Sequence, residues 1–153
     1  MGLYDIVKVP VKCPYCGAIV PEGQTKDLAR FLFTYKTGDY ASEKLKYLNT
    51  TYLCRHSLRC IADSLAMSKD DDSLVGMLFD AKIMLDDNGV ITGEYETQVN
   101  EEFVKFVNAG EIEKALEYIQ RHPNLFHELR REDKEWIKKH RPDVYRRIVI
   151  STL

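Results

Sequence analysis

Two cysteines two residues apart, in Cys13-Pro14-Tyr15-Cys16-Gly17, constrain this chain more than any other feature. A Cys-x-x-Cys turn lets two sulfurs reach one ion while backbone amides point at them, with each thiolate about 2.3 Å from zinc. Pro14 stiffens the turn, and Gly17 permits the backbone reversal after Cys16. Such a pair is half of a tetrahedral site. The other half lies in Cys54-Arg55-His56-Ser57-Leu58-Arg59-Cys60, which offers three donors. Cys54 supplies the third ligand. The fourth is Cys60 or His56. The Cys54–Cys60 spacing is longer than is usual in such sites, and Cys54-x-His56 brings an imidazole closer. Closed structural sites favour thiolates, so Cys60 is preferred. Cysteines also occur as buried small hydrophobes. Two clusters, the first carrying Pro and Gly, argue instead for one structural zinc ion.

Cysteine chemistry depends on compartment. No apolar run approaches the ~20 residues a membrane helix needs, and Met1–Ile6 lacks the basic start and apolar stretch of a signal peptide. Gly2 is suggestive of myristoylation, but Ile6 stands where serine or threonine is wanted. The expectation is a cytoplasmic protein with no membrane partner. In a reducing compartment four cysteines favour metal ligation over disulfides. At 153 residues, 44% hydrophobic and 30% charged, the chain suits one compact domain, or a small domain with an extension.

The net charge of −2 is unevenly spread. Residues 1–62 carry nine Lys and Arg against five Asp and Glu, residues 63–102 two against eleven, and residues 121–153 nine against five. Basic ends and an acidic middle can attract one another within a fold, or present separate faces to partners.

Hydrophobic periodicity predicts an α+β chain. Tyr4–Val9 reads as a strand leading into the first cysteine pair, and Arg30–Lys36 as a second strand closed by Gly38-Asp39. Ala41–Leu48 suits a short helical turn, and Thr50–Leu53 a strand feeding Cys54. Met77–Leu85 and Val90–Tyr95 flank Asp86-Asp87-Asn88-Gly89, a hairpin signal because Asn and Gly tolerate positive φ. From Asn100 the period becomes helical. Phe103, Val104, Phe106 and Val107 share a face, with Asn100 as N-cap, Glu101 and Glu102 in the first turn and Gly110 as the stop. Ile112, Ala115, Leu116 and Ile119 follow, ended by Pro123. Leu125, Phe126 and Leu129 continue the pattern, as do Trp136 and Ile137, with Trp136 expected in the core, and Pro142 opens a last helix with Val144, Tyr145 and Ile148 inward. The boundary falls near Gln98.

The opening Met1-Gly2-Leu3-Tyr4-Asp5-Ile6-Val7, then Cys13-Pro14-Tyr15-Cys16-Gly17, then Gly23-Gln24-Thr25-Lys26-Asp27-Leu28, resembles small zinc-ribbon-like proteins of phages, prophages and bacteria. The resemblance covers about the first 60 residues, with the hairpin to Tyr95 as its furthest extent. It implies that Cys13, Cys16 and Cys54 are zinc ligands. In that family the second pair is normally Cys-x-x-Cys. Here Ser57 stands where its second cysteine falls, so the fourth ligand stays open between Cys60 and His56. The resemblance carries no activity. The resulting picture is a zinc-ribbon-like antiparallel β module with a hairpin over residues 1–98, and a helical extension over residues 99–153.

Other motifs have plainer readings. A RING cross-brace needs a second set of ligand pairs, which is missing. A zinc deaminase needs His-x-Glu with Pro-Cys-x-x-Cys, and Val11-Lys12 precede Cys13. Asp70, Asp71 and Asp72 with Asp86 and Asp87 lack calcium-loop spacing and read as a solvated loop and a turn. His122, His127 and His140 read as surface residues. The basic stretch 130–147, with Trp136 and Tyr145 interleaved, suits phosphate contact and base stacking. Glu128, Glu132, Asp133, Glu135 and Asp143 interrupt it at salt-bridge spacing. There is no phosphate loop and no nucleophile elbow, so the chain is not expected to be an enzyme. The favoured expectation is a structural zinc module serving as a protein-interaction adaptor, through the helical tail or a sheet edge, phage- or prophage-related. The alternative is a nucleic-acid-binding zinc ribbon with a basic tail.

Overall fold

The computed structural model describes residues 3–67, 76–98 and 109–151. The chain divides into two compact units, Met1–Leu53 with Leu78–Glu101, and Cys54–Met77 with Glu102–Leu153. The architecture is α+β, as the periodicity predicts. The expectations for Asn100–Val107 and for Asp70–Asp72 lie outside the described residues.

The first unit is built on alternation. In β1 (Asp5–Lys8), β2 (Val11–Lys12) and β3 (Ile19–Val20), every second side chain turns inward. β4 (Gly23–Thr25), β5 (Thr34–Lys36), β6 (Tyr47–Cys54), β7 (Met77–Leu85) and β8 (Ile91–Gln98) complete the strands. Six form an open, curled sheet in the order β5-β1-β4-β6-β7-β8, and β2 pairs with β3 as a separate ribbon. β1 runs antiparallel to β4, and β4 to β6. The β1–β5 pair is parallel, with Ile6 opposite Thr34, so the module is antiparallel-rich rather than wholly antiparallel. Leu48, Tyr52, Phe79 and Ile83 are buried. Phe79 stacks on Tyr52 with centroids 5.5 Å apart and meets Tyr15 edge-on at 6.4 Å.

Two expectations change here. Only Thr34–Lys36 of the segment Arg30–Lys36 is strand. Upstream, the fully buried Asp5 carboxylate accepts the N–H groups of Arg30 (2.7 Å), Phe31 (3.0 Å) and Phe33 (3.0 Å). Three donors converging on one carboxylate curl the backbone, and Arg30 and Leu32 both take φ of 63°. The helical turn at Ala41–Leu48 does not form either. Ala41 and Ser42 donate to the Gly89 carbonyl, and Lys46 accepts from Leu85. Leu48 already belongs to β6.

The hairpin forms where Asn88-Gly89 predicts it, with Lys82 opposite Glu96 and Ile83 opposite Tyr95. Gly89 takes φ of 79°, and Asn88 does not join it at positive φ. The Asp86 carboxylate instead accepts the N–H groups of Asn88 and Val90, both at 2.9 Å.

The second unit is helical. α1 (Leu58–Met67) joins α2 (Ala109–Arg121), α3 (Asn124–Glu128), α4 (Arg131–His140) and α5 (Pro142–Ser151). Leu58, Ile61 and Ala62 of α1 enter one core with Ala115, Leu116 and Ile119 of α2, and with residues of the three later helices. The sequence-based division into 1–98 and 99–153 therefore differs at residues 54–77, which belong with the helices because α1 buries its apolar stripe there. Gly110 lies within α2 rather than ending a helix. Trp136 is 40% exposed, and Ile137, one position along α4, fills the core instead. The buried positions of α4 are Asp133 and Ile137, one turn apart, and Trp136 lies outside that stripe.

Candidate metal centre

The ribbon of β2 and β3 pairs Val11 with Val20 and Lys12 with Ile19, which leaves Cys13–Ala18 to make the turn. Cys13 N–H donates to the Ala18 carbonyl at 2.8 Å, and Gly17 N–H to the Cys13 carbonyl at 2.9 Å. Gly17 takes φ of 81°, a conformation glycine adopts without strain. The reversal turns Ala18 N–H toward Cys16 Sγ at 3.5 Å. An amide aimed at a sulfur favours its thiolate form.

Cys54 is the last residue of β6, on the inward side of its alternation. Cys60 lies in the first turn of α1. Ser57 caps that helix, its Oγ accepting Cys60 N–H at 3.1 Å while its carbonyl accepts Ile61 N–H. Ser57 thus starts the helix that carries Cys60, which accounts for the long Cys54–Cys60 spacing. A helix N-terminus carries partial positive charge and stabilises a thiolate in its first turn.

The sulfur atoms of Cys13, Cys16, Cys54 and Cys60 all lie within 4.8 Å of one another. Cys13, Cys54 and Cys60 are buried and Cys16 is half-buried. Four thiolates about 2.3 Å from one ion in a tetrahedron stand about 3.8 Å apart, so the cluster fits such an ion with little adjustment. His56 is not among these residues. Its Nδ1 donates to the Glu128 carbonyl at 2.8 Å.

The other candidates are dispersed. His122, His127 and His140 are exposed, and the Asp86 carboxylate is occupied by its own turn. In the 130–147 stretch, Arg130 pairs with Asp133, Arg131 with Glu135, and Arg141 with Glu113 and Asp143. The Arg141 pairing lowers the Asp143 pKa. Lys138 lies over the Tyr145 ring. Among the described residues, no helix is long and apolar enough to cross a membrane.

The sequence expectations include no helix at residues 58–67, although Ser57 followed by Leu58, Ile61, Ala62 and Leu65 is a readable cap and stripe. Glu128, the partner of His56 just before the helix, and Asp133, the partner of its first N–H, leave no local signal, because each lies more than seventy residues away. Compared with known proteins, the chain matches no family model, no curated protein and no solved structure.

Proposed function

We propose that this protein is a zinc-stabilised, non-catalytic module that acts as a protein-interaction adaptor. The gathering of four cysteine sulfurs within 4.8 Å carries the reading. Thiolate sets of this kind select zinc or iron among common metals. Four protein ligands leave no open position for a substrate or water, which supports a structural role. The kinship with zinc-ribbon-like phage and bacterial proteins rests on the opening motifs alone, and the cytoplasmic location on the reduced thiols this chemistry needs.

The adaptor role is supported by Phe31, Leu32 and Phe33, which are 66%, 51% and 54% exposed. The Asp5 carboxylate holds this loop through three N–H groups, so the apolar triad is presented on a fixed backbone. Aromatic anchors on a pre-ordered loop lose little entropy on binding. The nucleic-acid reading keeps one favourable observation, the exposed Trp136 on a helix ending in Lys138, Lys139 and His140.

Elemental analysis of the purified chain is expected to give about one zinc per molecule. A red, iron-loaded protein would change the metal, and a metal-free folded protein would end the reading. Phe31→Ser with Phe33→Ser is then compared with Lys138→Glu with Lys139→Glu in capture from host extract. The adaptor reading expects loss of a captured protein in the first variant only. The nucleic-acid reading expects loss of bound nucleic acid in the second, with steep weakening as salt rises.

A further inference from the structure

The segment joining Cys54 to Cys60 is short, and one corner of the helical tail holds it at Arg55, His56 and Leu58. Arg55 makes a two-pronged contact with the Glu128 carboxylate, Nε to Oε2 at 2.9 Å and Nη2 to Oε1 at 3.2 Å. His56 bonds the backbone twice: its Nδ1 donates to the Glu128 carbonyl at 2.8 Å, and its own carbonyl accepts Arg130 N–H at 2.7 Å. The first N–H of α1, that of Leu58, donates to Asp133 Oδ2 at 3.2 Å. Asp133 is buried, and Arg130 Nε balances its charge at 2.8 Å.

Metal–ligand distances tolerate only about 0.2 Å of error. Cys60 rides on the first turn of a helix, the turn that frays most readily. One residue of rotation would swing its sulfur by about 100°. Ser57 alone satisfies one N–H of that turn, and Asp133 satisfies another. The corner Glu128–Asp133 therefore fixes the rotation and height of the turn that presents Cys60.

We infer that this corner is the outer shell of the metal centre, with Asp133 as its positioning residue. Metal affinity and the order of the tail are then linked, an inference that rests on the metal-binding reading above. Linkage is reciprocal: if the corner raises affinity by some factor, bound metal favours the ordered corner by the same factor. A partner that grips or loosens this corner would tighten or release the ion.

The test uses the full chain, with Zn2+ titrated against a chromophoric chelator. Asp133→Ala is expected to weaken Zn2+ binding about ten- to hundredfold, the usual effect of losing an outer-shell partner. Asp133→Asn keeps an oxygen for Leu58 N–H and is expected to recover most of that loss. Ile148→Val loosens the same helical core from α5, and is expected to leave affinity within about twofold. In the unaltered chain, amide exchange over residues 128–140 is expected to be slower with Zn2+ than after chelation. This comparison stands whether or not Asp133→Ala folds. Wild-type affinity in Asp133→Ala, an equal loss in Ile148→Val, no recovery in Asp133→Asn, or zinc-independent exchange would each overturn the inference. A wild-type chain that binds neither Zn2+ nor Co2+ would overturn the metal centre itself.

Discussion

Tyr52 is fully buried, and its hydroxyl donates to the Val9 carbonyl at 2.8 Å. Burial, aided by nearby Tyr95, raises its pKa well above that of a free tyrosine. In the unfolded chain the phenol ionises near pH ~10. Above that pH the unfolded state loses a proton that the folded state keeps, so the unfolded state is favoured. The Tyr52 contribution is therefore intact below about pH 10 and declines as pH rises beyond it. Tyr52→Phe leaves the Val9 carbonyl without this donor and is expected to cost about 1–3 kcal/mol at pH 7. It should also flatten the alkaline fall in stability. Urea unfolding of both proteins across the alkaline range measures both effects, and an unchanged alkaline limb would assign that fall to other groups. The cysteines were the legible residues of this molecule, because few residue types ligate a soft metal and their spacing is restrictive. Tyr52 was not legible, since its partner lies 43 residues away.

At the scale of elements, the Asp86–Gly89 turn joins local and distant demands. Gly89 is at φ of 79°, and a Cβ there would stand 2.5 Å from the Ser42 carbonyl carbon and 2.6 Å from Glu43 N. The Gly89 carbonyl also accepts Ala41 N–H at 2.7 Å. Gly89→Ala is therefore expected to cost about 2 kcal/mol or more, from the left-handed backbone and the clash together. Thermal melts would measure it, with faster exchange at Ala41 and Ser42 as the local sign. A loss below half that figure would mean that the 38–42 segment yields freely. This hairpin was readable because its signal is local: two β-prone runs with a turn pair between them. The Arg30–Lys36 segment misled because its alternation is real, while the buried Asp5 that bends it comes from another strand. The Ala41–Leu48 segment misled in the same way. Its first two amides, those of Ala41 and Ser42, serve the hairpin turn, which no local pattern records.

For the whole molecule, the largest departure from the sequence reading is the affiliation of Cys54–Met77. Its apolar stripe was readable. That the stripe packs on helices beginning some forty residues later was not, because any amphipathic helix needs a cover and sequence alone does not say which. This pairing changes what truncation should do. A chain ending at residue 98 keeps all four cysteines and, on the sequence reading, would be an intact metal-bound module. In the structure it loses the partners of Leu58, Ile61 and Ala62, together with Glu128 and Asp133. The bared stripe would promote association, and the first turn of α1 would lose its external acceptor. Residues 1–98 alone are therefore expected to self-associate and to surrender zinc at a chelator concentration the full chain withstands. Size-exclusion chromatography with metal analysis measures both properties. A monomeric 1–98 chain that holds its zinc as tightly as the full chain would show that α1 needs no cover from the tail. It would also restore the division at Gln98 as the energetically meaningful one.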